Sequence, residues 1–198
     1  MEILYPLAGF AFVTSVTPGP NNILLLGSGL RFGFWQTLPH ILGIQFGVAL
    51  QLVLSAAGLG VLLVNYPGLQ VALKIFGTSY LLHLAWQLRH NLVKEREDGQ
   101  RTRPFTFVQG ALFQFINPKA WMMTLTASSL FLPSLDSKLA SIALLCLVFN
   151  SVGAPSSGSW AVLGSTIKHY LRDSFWQRCF SGCMIAITVF AALAIWFW

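Results

Sequence analysis

Long apolar segments separated by short polar ones make up almost the whole chain. Asp, Glu, Lys and Arg are absent from residues 3–30 and 32–73, and the turn-forming sequence at 65–68 divides the second stretch. Further apolar segments run from that turn to about 89 and over 105–132, 139–167 and 175–198. Because a membrane-spanning helix needs about 20 mostly apolar residues, the pattern predicts an all-α integral membrane protein with six transmembrane helices in a lipid bilayer.

The six predicted helices divide into two halves around one hydrophilic stretch. That stretch, about 91–104, predicts a cytoplasmic loop between a first repeat at about 1–90 and a second at about 105–198. Residues 1–198 are thus expected to form a single membrane domain. Each half holds three helices, and an odd number of crossings inverts the second half relative to the first. The sequence therefore predicts two inverted three-helix repeats.

Charged residues are scarce and unevenly placed. The chain has 12 Lys and Arg and 6 Asp and Glu, so 9% of its residues are charged, against about 25% in soluble domains. Nine of the 12 basic residues fall on the side that holds the loops after helices one, three and five. Because Lys and Arg collect in cytoplasmic loops, we expect an inner-membrane protein with both termini periplasmic. The same rule accounts for the net charge of +6, and no nucleic-acid partner is expected.

Two of the predicted helices, the first and the fourth, are interrupted near mid-membrane. The first carries two Pro and one Gly within residues 17–22, and the fourth carries Pro118, 100 positions after Pro18. Each Pro removes a backbone donor, and backbone groups freed in hydrocarbon must be satisfied by protein or by water in a cavity. Thr17 and Asn117 are expected to act as N-caps, with Pro18 and Pro118 opening the second half-helices. The alternative is that both prolines only kink their helices and that no ligand binds there. Matched interruptions in two halves favour a transporter site instead.

A site at these interruptions would suit a small solute with a carboxylate. Each half-helix N-terminus exposes unpaired N–H groups and about half a unit of positive charge, and Lys119 adds a full charge unless it pairs with backbone carbonyls. Carbonyls freed by the broken turns would accept from an ammonium, so a zwitterionic amino acid fits both. Polar residues of predicted helices two and five are also expected to line the pathway of the substrate. The predicted substrate-binding residues are Thr17, Pro18, Gly19, Pro20, Asn21, Asn22, Gln45, Asn117, Pro118, Lys119, Asn150 and Ser156.

These motifs resemble those of the LysE/RhtB family of amino-acid exporters. Members have six transmembrane helices, a Pro-Gly-Pro-Asn motif in the first, here 18–21, and often Asn-Pro-Lys-Ala in the fourth, here 117–120. Residues 17–25 look most like the branch that exports cysteine and O-acetylserine. The resemblance implies efflux of amino acids or their derivatives across a bacterial inner membrane. It further implies that the proton gradient drives transport without a cofactor, and it allows a homodimer.

The coupling and the direction of transport stay open in the sequence. None of the six carboxylates lies within a predicted helix, which leaves His40, His83, Lys119 or the substrate's own groups to carry protons. Composition does not separate export from import, or from a passive channel for small zwitterions. A thiol-redox carrier of similar layout would place Cys at the helix breaks, and an intramembrane enzyme would need a base beside its nucleophile. The sequence shows neither, so no enzyme, metal site or cofactor is expected.

Overall fold

The computed structural model describes residues 2–59, 65–91, 103–167, 174–194 and 196, and within these residues the chain is helical with no strand. The helices coincide with the predicted apolar segments. The hydrophilic stretch at 91–104 lies almost wholly outside the described residues, as do Lys168 and Arg172. The helices are α1 (Leu4–Val16), α2 (Pro20–Phe32), α3 (Phe34–Leu54), α4 (Pro67–Asn91), α5 (Phe107–Ile116), α6 (Pro118–Leu130), α7 (Lys138–Ile167) and α8 (Ser174–Ala194), with a π-helical turn at Ser55–Leu59 after α3.

Several polar side chains are buried in the structure, while many large apolar side chains lie exposed on its outer surface. The side chains of His40, Gln51 and Gln114 are completely buried, whereas Tyr5 is 85% exposed and Trp35 is 78% exposed. Soluble proteins rarely bury such polar groups while they leave large apolar surfaces uncovered. An apolar outer surface around an interior that includes buried polar side chains fits a protein surrounded by lipid.

Among the residues that the structure describes, two helical segments are long and apolar enough to cross a membrane by length and composition. They are Phe34–Gly58 and Lys138–Ile167, and the shorter helices α1 and α5 are apolar as well. In chain order, α1 and α2 together occupy the first predicted crossing, and α5 and α6 occupy the fourth. The arrangement of all helices as six crossings in two inverted halves stays a prediction.

Small residues bring the helix backbones close together in the interior of the structure. A methyl group placed on Gly29 of α2 would meet the carbonyl of Ala161 in α7, and one on Gly43 of α3 would meet the carbonyl of Phe107 in α5. Accordingly, α2 packs extensively against α7, and α3 packs extensively against α5. Helices in lipid associate through such close packing because the solvent around them is as apolar as their side chains. These contacts hold the two interrupted helices beside α3 and α7.

The first interruption lies at a different place from the one predicted. Thr17 is the C-cap of α1, and α2 begins at Pro20 with Gly19 as its N-cap, so the prediction that Pro18 opens a helix after a Thr17 cap is wrong. A residue that precedes proline is pushed toward extended backbone, and Gly19 is extended, with φ −172° and ψ 179°. The helix therefore cannot begin before Pro20. The second interruption is confirmed as predicted, since α6 begins at Pro118 after the N-cap Asn117.

Candidate binding site

The first helix break leaves backbone carbonyls that the side chain of Asn22 satisfies. Its Nδ2 donates to the carbonyl oxygen of Ser15 at 2.8 Å and to that of Thr17 at 2.9 Å. Asn22 belongs to the first turn of α2, so its amide closes the break from the far side. Because an unsatisfied backbone group in a lipid-like interior costs several kcal/mol, this buried amide is what makes a non-helical segment tolerable here.

The second break is satisfied by side chains from two other places in the fold. Nε1 of Trp121 donates to the carbonyl oxygen of Phe115 at 3.0 Å, and Nε2 of Gln51 in α3 donates to that of Gln114 at 2.9 Å. Both carbonyls belong to the last turn of α5, and Pro118 has no N–H group with which to continue the helical pattern. The break is thus a fixed part of the structure.

A pair of amides holds the two breaks side by side. Nδ2 of Asn21 donates to Oε1 of Gln114 at 2.8 Å, and Nε2 of Gln114 donates back to Oδ1 of Asn21 at 3.1 Å. Asn21 lies in the first turn of α2, and Gln114 lies in the last turn of α5. Residues 93 positions apart therefore bring the start of one half-helix against the end of another.

Lys119 joins the two breaks by a second route. Its ammonium donates to the carbonyl oxygen of Thr17 at 2.7 Å, to Oγ1 of Thr17 at 2.9 Å and to the carbonyl oxygen of Pro18 at 3.3 Å. An ammonium has three donors, so all three are engaged in this conformation. The side chain crosses Gly19, where an added Cβ would lie only 2.8 Å from Cδ of Lys119. The alternative partner considered from the sequence, backbone carbonyls, is the one observed.

A small cavity lies between the two breaks. Its volume is about 40 Å³, and a buried water needs about 10–15 Å³ on this measure, so a few water-sized groups fit. The lining combines polar break residues with an apolar wall from α3, α6 and α7. It consists of Thr14, Ser15, Gly19, Pro20, Asn21, Asn22, Ile44, Gln45, Val48, Asn117, Lys119, Ala120, Met123, Phe149, Gly153 and Ser157.

The structure brings most, but not all, of the predicted site residues to this cavity. Those that line it are Gly19, Pro20, Asn21, Asn22, Gln45, Asn117 and Lys119. Thr17 and Pro18 lie behind it as partners of the Lys119 ammonium. The ring of Pro118 packs against Gly77 of α4 instead. Asn150 and Ser156 lie on α7 away from the lining, and Nδ2 of Asn150 donates to the carbonyl oxygen of Cys146 at 3.0 Å.

Sequence reasoning missed the face of α7 that lines the cavity. Phe149, Gly153 and Ser157 follow one another at intervals of four residues, which places them on one side of a helix. Oγ of Ser157 accepts a hydrogen bond from Nε2 of Gln45 at 3.1 Å. The four-residue spacing was the available signal, whereas the polarity of the 155–159 stretch alone drew attention to the neighbouring Ser156.

The two histidines considered for proton transfer do not line the cavity. His40 is completely buried in α3, and its ring stacks on Phe105 with centroids 4.8 Å apart. His83 is exposed on α4, with its ring 6.0 Å from that of Trp86. Neither histidine therefore lies where it could contact a solute bound between the two breaks.

The electrostatic character of the cavity is positive. Neither α2 nor α6 has a side-chain cap, so the N–H groups of their first turns are not used by capping side chains, and the helix dipoles add positive potential. The Lys119 ammonium lies in the same wall, and no Asp or Glu is among the described residues that line the cavity. Such an arrangement is suited to bind an anion without specialised chemistry.

Comparison with known proteins places the chain in a family. Residues 12–197 match the family model described as "LysE type translocator". The cysteine/O-acetylserine efflux protein of Escherichia coli O157:H7 is 28% identical over 95% of this chain and 94% of its own length. The proteins of the same name from Escherichia coli K12 and Shigella flexneri serotype 5b are 27% identical over the same shares. No solved structure matches the chain.

The family match covers almost all of the chain, including both helix breaks and the whole cavity lining. The family match also agrees with the apolar exterior of the structure, as expected of a protein in lipid. It also agrees with a site that can bind a charged solute but presents no recognisable catalytic group. The protein therefore belongs to the LysE family of translocators, and it is a bacterial membrane transport protein, not an enzyme.

Proposed function

We propose that the protein exports neutral amino acids and their small derivatives across the bacterial inner membrane. The observation that carries the proposal is the meeting of two uncapped helix N-termini and the Lys119 ammonium at one cavity. In the proposed complex, N–H groups of the first turns of α2 and α6 bind the substrate carboxylate, near Pro20 and Pro118. The relatives named as efflux proteins for cysteine and O-acetylserine support both the solute class and the direction.

The role of Lys119 in this proposal is electrostatic and structural. Its three donors are engaged by Thr17 and Pro18, so the ammonium supplies positive potential to the cavity and holds the first break in place. A positive charge within a membrane protein is costly unless it is paired or hydrated. The bound carboxylate would supply a compensating negative charge at close range.

The charge of the cavity also sets the expected substrate class. A basic amino acid would bring a second positive charge into a cavity whose described lining holds Lys119 and no carboxylate. Ile44, Val48, Met123 and Phe149 form an apolar wall that suits a short uncharged side chain. Cysteine and O-acetylserine, the solutes in the names of the relatives, both have uncharged side chains.

The remaining parts of the proposal concern arrangement and energy. The helices form six crossings as two inverted halves, with both termini periplasmic, and a homodimer is compatible with them. The proton gradient supplies the driving force, and no cofactor is needed. The alternative of an importer or a passive channel is separable by experiment, because only a carrier exchanges labelled solute for unlabelled solute across a membrane.

A growth assay tests the proposed function. Cells without their own exporters of these solutes would express the protein and be challenged with toxic amounts of cysteine, O-acetylserine, serine, lysine or arginine. We expect protection, with lowered internal concentrations, against one or more neutral solutes and none against lysine or arginine, because the cavity repels a second cation. Absence of protection across the panel, with the protein present in the membrane, would contradict the proposal.

A further inference from the structure

Asn117, which lines the cavity, carries a polar atom that the structure leaves without a partner. Oδ1 of Asn117 is buried, in a residue that is 2% exposed, and it accepts no hydrogen bond. The other buried side-chain atoms of this kind in the described part of the chain belong to His40, Gln51, Ser55, Asn150 and Ser156, and none of these residues lines the cavity. An acceptor buried without a donor is unfavourable, so a donor from inside the cavity is expected to serve it.

An unpartnered side-chain oxygen is unusual for an Asn at the position of Asn117. Asn at an N-cap normally accepts from a backbone N–H of the first helical turn. Asn117 is the N-cap of α6 but makes no such bond. Its side-chain oxygen is therefore not bonded to the helix that follows it. Pro118 has no N–H group, and the N–H groups of Ala120 and Trp121 donate to the Asn117 carbonyl, so the helical N–H group left for a ligand is that of Lys119, two residues after Asn117. A ligand that bonds both Oδ1 of Asn117 and this N–H group must carry a donor and an acceptor close together.

An α-amino acid has this pattern. Its carboxylate accepts from helix N–H groups, and its ammonium, attached to the same carbon atom, donates. Hydroxyls of Ser15 and Ser157 line the same cavity and offer further acceptors for the remaining ammonium hydrogens. Lys119 cannot substitute for Asn117, because an ammonium is only a donor.

We propose that Oδ1 of Asn117 accepts a hydrogen bond from the α-ammonium of the transported amino acid and makes the carrier reject carboxylates that lack an amino group. This inference rests on the proposed function, since it assigns the second polar group of the same substrate. Sites built to bond a donor discriminate strongly against the analogue without it, because their own polar group is then left unpaired.

The test removes one group from the substrate and one from the protein. Purified wild-type protein and the Asn117→Leu and Asn117→Asp variants would bind labelled cysteine in competition with unlabelled cysteine or with 3-mercaptopropionate, its analogue without the amino group. For the wild type, we expect cysteine to compete at least about tenfold better than 3-mercaptopropionate. The preference should persist in Asn117→Asp, which keeps an acceptor, and fall to about one in Asn117→Leu.

Ser55→Ala is the matched control, because it removes a buried hydroxyl that also has no partner but does not line the cavity. It should keep the wild-type preference. The same preference in Asn117→Leu as in the wild type would overturn the assignment and leave a water molecule as the partner of Oδ1. Loss of the preference in Asn117→Asp as well would also overturn it. Failure of the wild type to bind or exchange any amino acid would instead contradict the proposed function.

Discussion

Replacing Lys119 with Met is expected to reduce export to the background level while the protein still inserts in the membrane. The substitution keeps a long unbranched side chain but removes the ammonium that bonds the Thr17 carbonyl, the Thr17 hydroxyl and the Pro18 carbonyl. A hydrogen bond to a charged group contributes about 1.5–3 kcal/mol, so the first break loses its main link to α6. The cavity also loses its one full positive charge among the described lining residues. Export would be measured as efflux of labelled solute from preloaded cells.

Two companion variants separate this explanation from a general loss of structure. Lys138→Met removes a basic side chain at the exposed start of α7 and should export normally. Thr17→Val removes the hydroxyl partner of the ammonium but keeps both carbonyl partners, so we expect a partial loss. Normal export by Lys119→Met, at equal amounts of protein in the membrane, would contradict the role given to Lys119.

Gly19→Val is expected to abolish export by filling the space between the two breaks. A Cβ at this position would lie 2.8 Å from Cδ and 3.0 Å from Nζ of Lys119, so a branched side chain must displace the ammonium from Thr17. The backbone of Gly19 is extended, a conformation that valine adopts readily, so the effect is on the cavity and not on the chain path. Efflux of labelled solute and equilibrium binding should both be lost.

Gly27→Val provides the control for this substitution. It places the same side chain in the middle of α2, where an added Cβ has no neighbour within 4 Å. Valine has a higher helix propensity than glycine, so thermal stability should not fall, and export is expected to be retained. Export by Gly19→Val at the level of Gly27→Val would show that the space beside Gly19 is not part of the site.

The helices and the presence of both breaks could be predicted because their causes are local. Uninterrupted apolar segments can bury themselves only in lipid or against each other, and Pro removes the backbone donor that a helix needs. The predicted start of α2 at Pro18 was wrong, because Pro18 and Pro20 both suit a first helical turn. The extended backbone that Pro20 imposes on Gly19 decided between them.

The contacts that build the site could not be read from the sequence. The Lys119 ammonium bonds a carbonyl 102 positions earlier, and Asn21 pairs with Gln114 across 93 positions. Such contacts depend on how the helices are placed against each other. Likewise, Ser156 and Ser157 are identical neighbours, and only the rotation of α7 directs Ser157 and not Ser156 toward the cavity. The orphan oxygen of Asn117 becomes visible only when its surroundings are known.

The central claim is that helix N-termini at the two breaks hold the carboxylate of a transported amino acid. Counterflow in proteoliposomes tests it most directly, with labelled cysteine outside and an unlabelled solute inside. The account predicts that internal cysteine drives uptake of the label, whereas internal cysteinamide, which keeps the ammonium and the thiol but lacks the carboxylate, does not. Equal uptake with cysteine and with cysteinamide inside would contradict it.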